Sequence, residues 1–283
     1  MAPIVLYEIV FVLVPIMSGV RMSFTNTKLG ATTSEYVGTK NFERLYSDPH
    51  FVQSMISTFV YALSVVVLAV GVGLVAALLV NGPFRGRSAV RGVLTAPWAF
   101  PEIATVLIFI WIFNPTFGVI NYLERLFPAL DVSGGWLNSS PFAMVAVVLI
   151  SVWKNFPFYS IVLLAALQSV SNDLHEAARM DGAHSLQRFR HVTLPALAPT
   201  LLLLSLLAFV FSFKQFTLIW LTTGGGPARA TETLVIATYT NAFKYFDYSY
   251  AAAIGVTCLL LTILVTALWL IVQRKVERME GES

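Results

Sequence analysis

The stretch from Asn172 to Pro199, NDLHEAARMDGAHSLQRFRHVTLPALAP, decides how this chain is read. It is polar, yet on either side lie apolar runs long enough to cross a bilayer, which takes roughly 20 residues. Within it stand Asp173, Glu176, Arg179, Asp181, His184, Arg188, Arg190 and His191. The pattern predicts two short helices broken at Gly182. Asn172 or Asp173 is placed to cap the first, with Glu176 in its opening turn, where a carboxylate suits the helix dipole. Ser185 is placed to cap the second, and the residue before Pro195 is biased away from helix. A charged loop between spans can be no more than a solvated connection, but the order of residues here is more specific than that reading needs.

Composition agrees with a membrane protein. Apolar residues make up 57% of the 283 and charged ones 12%. With a mean hydropathy of +0.75 this excludes a soluble globular domain. A net charge of +3, scattered along the chain, gives no basic face for nucleic acid, so the basic residues are read as topology markers. Cys258 is the single cysteine, inside an apolar run, which rules out an intrachain disulfide and leaves a small core residue. The first apolar run lacks the basic start and small-residue cleavage site of a secretory signal.

The expected architecture is all-α: a single transmembrane domain over 1–283 with six transmembrane helices at about 4–22, 57–80, 92–113, 142–167, 197–221 and 251–272. Pro15 lies inside the first span, where neighbours can satisfy the freed carbonyl, and Glu8 is placed at headgroup level. Gly71 and Gly73 are read as close-packing positions in the second. Pro97 and Pro101, with Glu102 just after, interrupt the third. Six spans put the loops 81–91, 172–195 and 273–283 on one side. These hold Arg85, Arg87, Arg91, Arg179, Arg188, Arg190, Arg274, Lys275 and Arg278. The longer opposite loops hold fewer: Arg21, Lys28, Lys40, Arg44, Arg125, Arg229 and Lys244. The positive-inside bias therefore places both termini and the 172–195 loop in the cytosol. On the other side, Tyr239, Phe243, Tyr245, Phe246, Tyr248 and Tyr250 read as an aromatic belt, preferred over contact with a ligand or partner. Thr223-Gly224-Gly225-Gly226-Pro227 is a turn and not a phosphate cradle, because no Lys-Ser/Thr follows it.

No hydrolytic site can be assembled: His50, His175, His184 and His191 have no nucleophile in a useful context, and there is no P-loop. The chain is therefore not read as an enzyme. Charge at membrane depth costs at least ~2.5–3.5 kcal/mol, so Glu102, Lys154 and Lys214 should face protein or water, either as structural pairs or along a ligand path. Ser151, Lys154, Asn155 and Phe158 fall within about two turns; Phe211, Ser212 and Gln215 share a helix face. Donors beside aromatic rings suit a sugar. Lys214 lies about 100° round from Gln215 and is expected to pair structurally, with Glu102 as the candidate partner.

The order E-A-A-x-x-D-G-A followed by L-P, here Glu176, Ala177, Ala178, Asp181, Gly182, Ala183, Leu194 and Pro195, resembles the signature loop of the permease subunits of binding-protein-dependent ABC importers. Ala165-Ala166-Leu167-Gln168-Ser169-Val170 and Thr222-Thr223-Gly224-Gly225-Gly226-Pro227 resemble the sugar-permease branch, close to the maltose-type permeases; the likeness runs from Pro15 to about Arg274. The resemblance implies the type I importer permease fold in a bacterial or archaeal cytoplasmic membrane. It implies that the loop is a coupling helix seated in an ATPase subunit, with Leu194-Pro195 passing motion into span 5. It implies as partners a second similar permease, two ATP-binding subunits carrying the ATP and Mg, an external solute-binding protein, membrane lipid and a sugar, with no cofactor in this chain. SVWKNFPF and FSFKQF resemble segments lining the sugar cavity, departing from them at Lys154, Ser212 and Lys214. Two alternatives stay open: a permease for a glycerol-phosphate-like or other polyol solute, and an ion-coupled secondary transporter with Glu102, Lys154 and Lys214 as a relay.

Overall fold

The computed structural model describes residues 2–30, 34–127, 132, 134–140 and 142–281. The side chains of Asn172, Lys275 and Arg278, used in the capping and charge arguments, lie outside the described set. In chain order the helices are α1 (Ala2–Glu8), α2 (Val14–Ser23), α3 (Lys40–Ser47), α4 (Pro49–Asn81), α5 (Arg87–Ala99), α6 (Glu102–Ile112) and α7 (Val119–Leu126). They continue as α8 (Phe142–Ser169), α9 (Asn172–Met180), α10 (Ser185–Arg188), α11 (Leu194–Phe213), α12 (Thr217–Thr223), α13 (Leu234–Phe243) and α14 (Tyr248–Gly281). Among the described residues there is no strand, only the isolated bridges Thr25–Tyr36 and Lys28–Asp247. By length and apolarity five helices can cross a membrane, and six if α5 and α6, bent by 94° at their break, count together as one span.

Two prolines are absorbed by the same device. A π-helical segment, Ile9–Leu13, joins α1 to α2, and the Val14 amide bonds back five residues to the Ile9 carbonyl. Pro15 follows, the second residue of α2. Phe189–Thr193 repeats the arrangement before Pro195: the Leu194 amide bonds to the Phe189 carbonyl. A π turn shifts the ladder just where the proline ring has no N–H to give. The expected break before Pro195 is therefore absent, and Ser185–Phe213 is one helix of 29 residues.

The other boundary of that span also differs from expectation. Instead of running unbroken over 197–221, the helix stops at Phe213; Lys214 caps it, and α12 begins at Thr217. Apolar residues flank the Lys214-Gln215 break on both sides, so averaged hydropathy could not reveal it. Span 2 begins earlier than expected because Asp48 caps it, accepting from the His50 amide at 2.9 Å, with Pro49 at the first position.

The core lies where α4, α8 and α11 meet, around Tyr61, Ile150, Leu163, Phe209 and Phe213. Phe59 meets Phe213 edge-on at 5.4 Å. Gly73 permits the close approach of α4 to α8: a Cβ there would stand 2.8 Å from Tyr159 Cβ and 3.1 Å from the Phe156 carbonyl oxygen. Gly71 does not share the role, since a Cβ there meets nothing within 4 Å. The Tyr61 hydroxyl and Ser151 Oγ hydrogen-bond at 2.7 Å across the buried α4–α8 contact. On the far side α14 packs on α2 and α13, and Trp269 Nε1 donates to the Leu202 carbonyl at 3.1 Å.

At the end carrying α3 and α13 the expected aromatic belt is only partly present. Phe243, Tyr245 and Phe246 are exposed, but Tyr250 is buried. The Tyr250 hydroxyl donates to Asp48 Oδ2 at 2.6 Å, and its ring carries the Arg44 guanidinium at 3.7 Å. Arg44 in turn pairs with Asp247 at 2.8 Å. Tyr239 packs between Phe216 (4.9 Å) and Trp220 (4.6 Å). Short-range packing claims these rings because α13 folds back onto α12 and α14. The Thr223–Pro227 stretch is a turn, with Gly224 (φ 61°) closing α12 and Gly225 at φ 92°.

Candidate functional sites

The loop between α8 and α11 is built from near neighbours. Ser171 Oγ accepts from the Asp173 amide at 3.2 Å and caps α9, in place of Asn172 or Asp173. The helix ends at Asp181, and Gly182 at φ 79° turns the chain; its amide bonds to the Arg179 carbonyl at 3.0 Å. That backbone geometry favours glycine. Cap duty for α10 falls to His184 and not Ser185: His184 Nδ1 accepts from the Gln187 amide at 3.4 Å, and Gln187 Oε1 accepts from the His184 amide at 2.9 Å. Arg188 turns inward, donating to the Ala183 carbonyl at 2.9 Å.

What remains outside is a knob. Glu176, Ala177, Arg179, Asp181 and Gly182 are exposed, Ala178 is half-buried, and Leu194 and Pro195 are exposed on the helix that follows. Sequence reasoning named the charges but missed the apolar surface among them: Leu174, Leu186 and, at 89% exposure, Met180. Exposed leucine and methionine between charges carry no helical periodicity, which is why no pattern flagged them.

The second site lies at the two helix breaks. A cavity of about 500 Å³ is lined by Trp98, Glu102, Lys154, Asn155, Phe211, Lys214, Gln215, Phe216 and Thr217. Its size falls in the range of small-ligand sites. Where α5 stops and Pro101 prevents continuation, carbonyls are left without amide partners. Lys154 Nζ supplies them from α8, donating to the carbonyls of Trp98 (2.7 Å), Phe100 (2.7 Å) and Pro97 (3.3 Å). Glu102 opens α6, a favourable place for a carboxylate, and its Oε1 accepts from Gln215 Nε2. Asn155 Nδ2 donates to the Ser151 carbonyl at 2.8 Å.

Of the residues expected to share a polar path, Lys154, Asn155, Phe211 and Gln215 line this cavity. Ser151 and Ser212 do not: both are buried, and Ser151 is spent on Tyr61. Phe158 sits behind the wall, stacked on Trp98 at 6.0 Å. Lys214 departs furthest from expectation. It lines the cavity and does not pair with Glu102, whose partner is Gln215; the Lys214 ammonium lies over the Phe211 ring at 5.0 Å. The 100° helical offset fails because the helix ends at Phe213. Trp98, Phe216 and Thr217 were missed for the same reason, lying where periodicity stops.

Among the described residues no group of three or more His, Cys, Asp or Glu could hold a metal ion.

The fold matches, at a TM-score of 0.83 and over 96% of this chain and 93% of the other, a chain of a bacterial ABC transporter involved in import of the acidic polysaccharide alginate; identity is 21%. The trehalose/maltose transport system permease protein MalF of Thermococcus litoralis is 31% identical over 272 residues, 96% of this chain and 91% of that protein. The sulfoquinovosyl glycerol transport system permease protein SmoG of Agrobacterium fabrum is 33% identical over 273 residues, 95% and 87% respectively. Residues 69–278 match the family itself, and the chain belongs to the binding-protein-dependent transport system inner membrane components.

Proposed function

We propose that this permease admits a sugar or oligosaccharide through the cavity at the two helix breaks and is driven by ATPase subunits that dock on the 172–195 loop. The single observation that carries the reading is the cavity itself: amide, hydroxyl and charged groups beside Trp98, Phe211 and Phe216, at a depth where spans 3 and 5 are both interrupted. Broken helices at membrane depth are tolerated only where they line a cavity or pack on protein. Carbohydrate relatives agree with this substrate class.

In this reading the exposed Glu176, Arg179, Asp181 and Met180 seat in an ATPase subunit that carries the ATP and Mg. Ala177 and Ala178 keep the helix face shallow, and Gly182 sets the turn. The continuous helix from Ser185 through Leu194 and Pro195 to Phe213 delivers movement of the loop to Phe211 without a joint, and to Gln215 just past its end. A second permease completes the pathway, and an external solute-binding protein delivers the sugar. Both termini and the loop face the cytosol.

Two assays test this. A reporter fused after Arg188 should read cytosolic and one after Ala228 external; the reverse orientation contradicts the proposal. Uptake into proteoliposomes should stop when the ATPase subunits are left out. Uptake that persists without them supports the ion-coupled reading instead.

A further inference from the structure

We propose that the solute is an anionic saccharide or glycoside, bearing a carboxylate, sulfonate or phosphate that is met by Lys214. The inference rests on the cavity being the solute path, and adds the class of solute. Three ionisable side chains line that cavity, two ammoniums and one carboxylate. Lys154 is committed to three backbone carbonyls, so its role is to hold the break between α5 and α6. Glu102 accepts from Gln215. Among the described residues the Lys214 ammonium makes no hydrogen bond or ion pair; it rests over the Phe211 ring, at the end of α11. The ring and the helix end orient a cation there without cancelling its charge.

Lys214 is exposed at the open cavity, so its charge is available to a ligand that enters, and a surplus positive charge there favours a ligand of opposite charge. A neutral sugar would make no use of that charge. The remaining walls ask for more than a bare anion: Trp98 and Phe216 offer ring faces, and Asn155 and Thr217 offer polar groups to hydroxyls. The ligand that fits both ends is a sugar with a charged substituent.

The test uses the assembled transporter in proteoliposomes with its binding protein, reading probe-stimulated ATP hydrolysis. The probes are maltose as the neutral sugar, and a uronate disaccharide, a 6-sulfonated glucoside and a hexose phosphate as the anionic ones. At least one anionic probe should stimulate and maltose should not. Lys214→Met should raise the half-saturating concentration of that anionic probe about tenfold or more, as loss of a charge-assisted contact does, while Lys214→Arg stays within about threefold of the parent. Because the binding protein is unaltered, the Lys214→Met shift belongs to the permease; co-purification of the subunits checks that the variant assembles. Stimulation by maltose alone, stimulation by no anionic probe, or an unshifted Lys214→Met variant overturns the proposal. Maltose stimulation would leave the sugar-permease reading standing, whereas uptake independent of the ATPase subunits would remove that reading.

Discussion

Around Gly182, polar side chains find partners three to five residues away: Gln187 with His184, and Arg188 with Ala183. In the cavity the partners are 113 residues apart for Gln215 and Glu102, and 56 for Lys154 and the Trp98 carbonyl. The loop is thus a self-contained, solvated knob, whereas the cavity exists only while α5, α6, α8 and α11 are packed together. Damage should stay local in the first and spread through the bundle in the second.

The largest effect expected from this contrast is at Lys154. Lys154→Met removes the ammonium that bridges three carbonyls at the α5–α6 break; a hydrogen bond contributes about 0.5–1.5 kcal/mol net, and three are involved. Thermal unfolding in detergent should drop by several degrees, while Arg188→Met, which loses one carbonyl contact in the loop, should change it little. Equal losses would break the comparison. Next is Gln215→Ala, which strips the Glu102 carboxylate of its donor and should weaken solute uptake about tenfold, from roughly 1–3 kcal/mol of lost binding. Smaller still is Gln187→Ala: half of the reciprocal cap is lost, about 1 kcal/mol, so hydrogen exchange should quicken at residues 184–188 with the global unfolding midpoint unchanged.

The smallest effect concerns a buried carboxyl outside the spans. Burial pushes Glu232 above the usual value of 4.5, against the pull of Arg229 and of the Ser54 hydrogen bond. The folded state thus holds this proton more tightly than the unfolded chain. The resulting stability is fully present below about pH 4.5 and is lost as the pH rises through the folded-state value. Glu232→Gln should flatten that part of the profile of unfolding midpoint against pH; an unchanged profile would show that Glu232 does not cause it.

The same contrast explains what could be read in advance. The break at Gly182 and the existence of two flanking helices were legible because caps and turns act over three or four residues. Which residue capped was not, since Ser171, Asn172 and Asp173 are adjacent candidates and helix starts differ by one residue. Lys154, Asn155, Phe211 and Gln215 were legible as polar or aromatic groups at membrane depth. Ser151 and Ser212 were not separable from them, because whether a hydroxyl faces a cavity or Tyr61 depends on the neighbouring helix. The break at Lys214 had no helix-breaking residue to mark it: no proline or glycine stands between Leu197 and Leu221 except Pro199, and the polar pair Lys214-Gln215 was read as a helix face instead. Gly71 and Gly73 look alike in sequence, but only the second faces α8.

The central claim is that the loop is where force enters, and Gly182→Arg tests it most directly. The position has open space around it, and the positive φ costs a side chain roughly 1–2 kcal/mol, so the isolated subunit should fold and insert. In the assembled transporter, solute-stimulated ATP hydrolysis should be abolished, because an arginine there meets whatever docks on the knob, while Gly182→Ala should keep most of the activity. Normal stimulation by Gly182→Arg would show that the loop is only a connection and contradict the account.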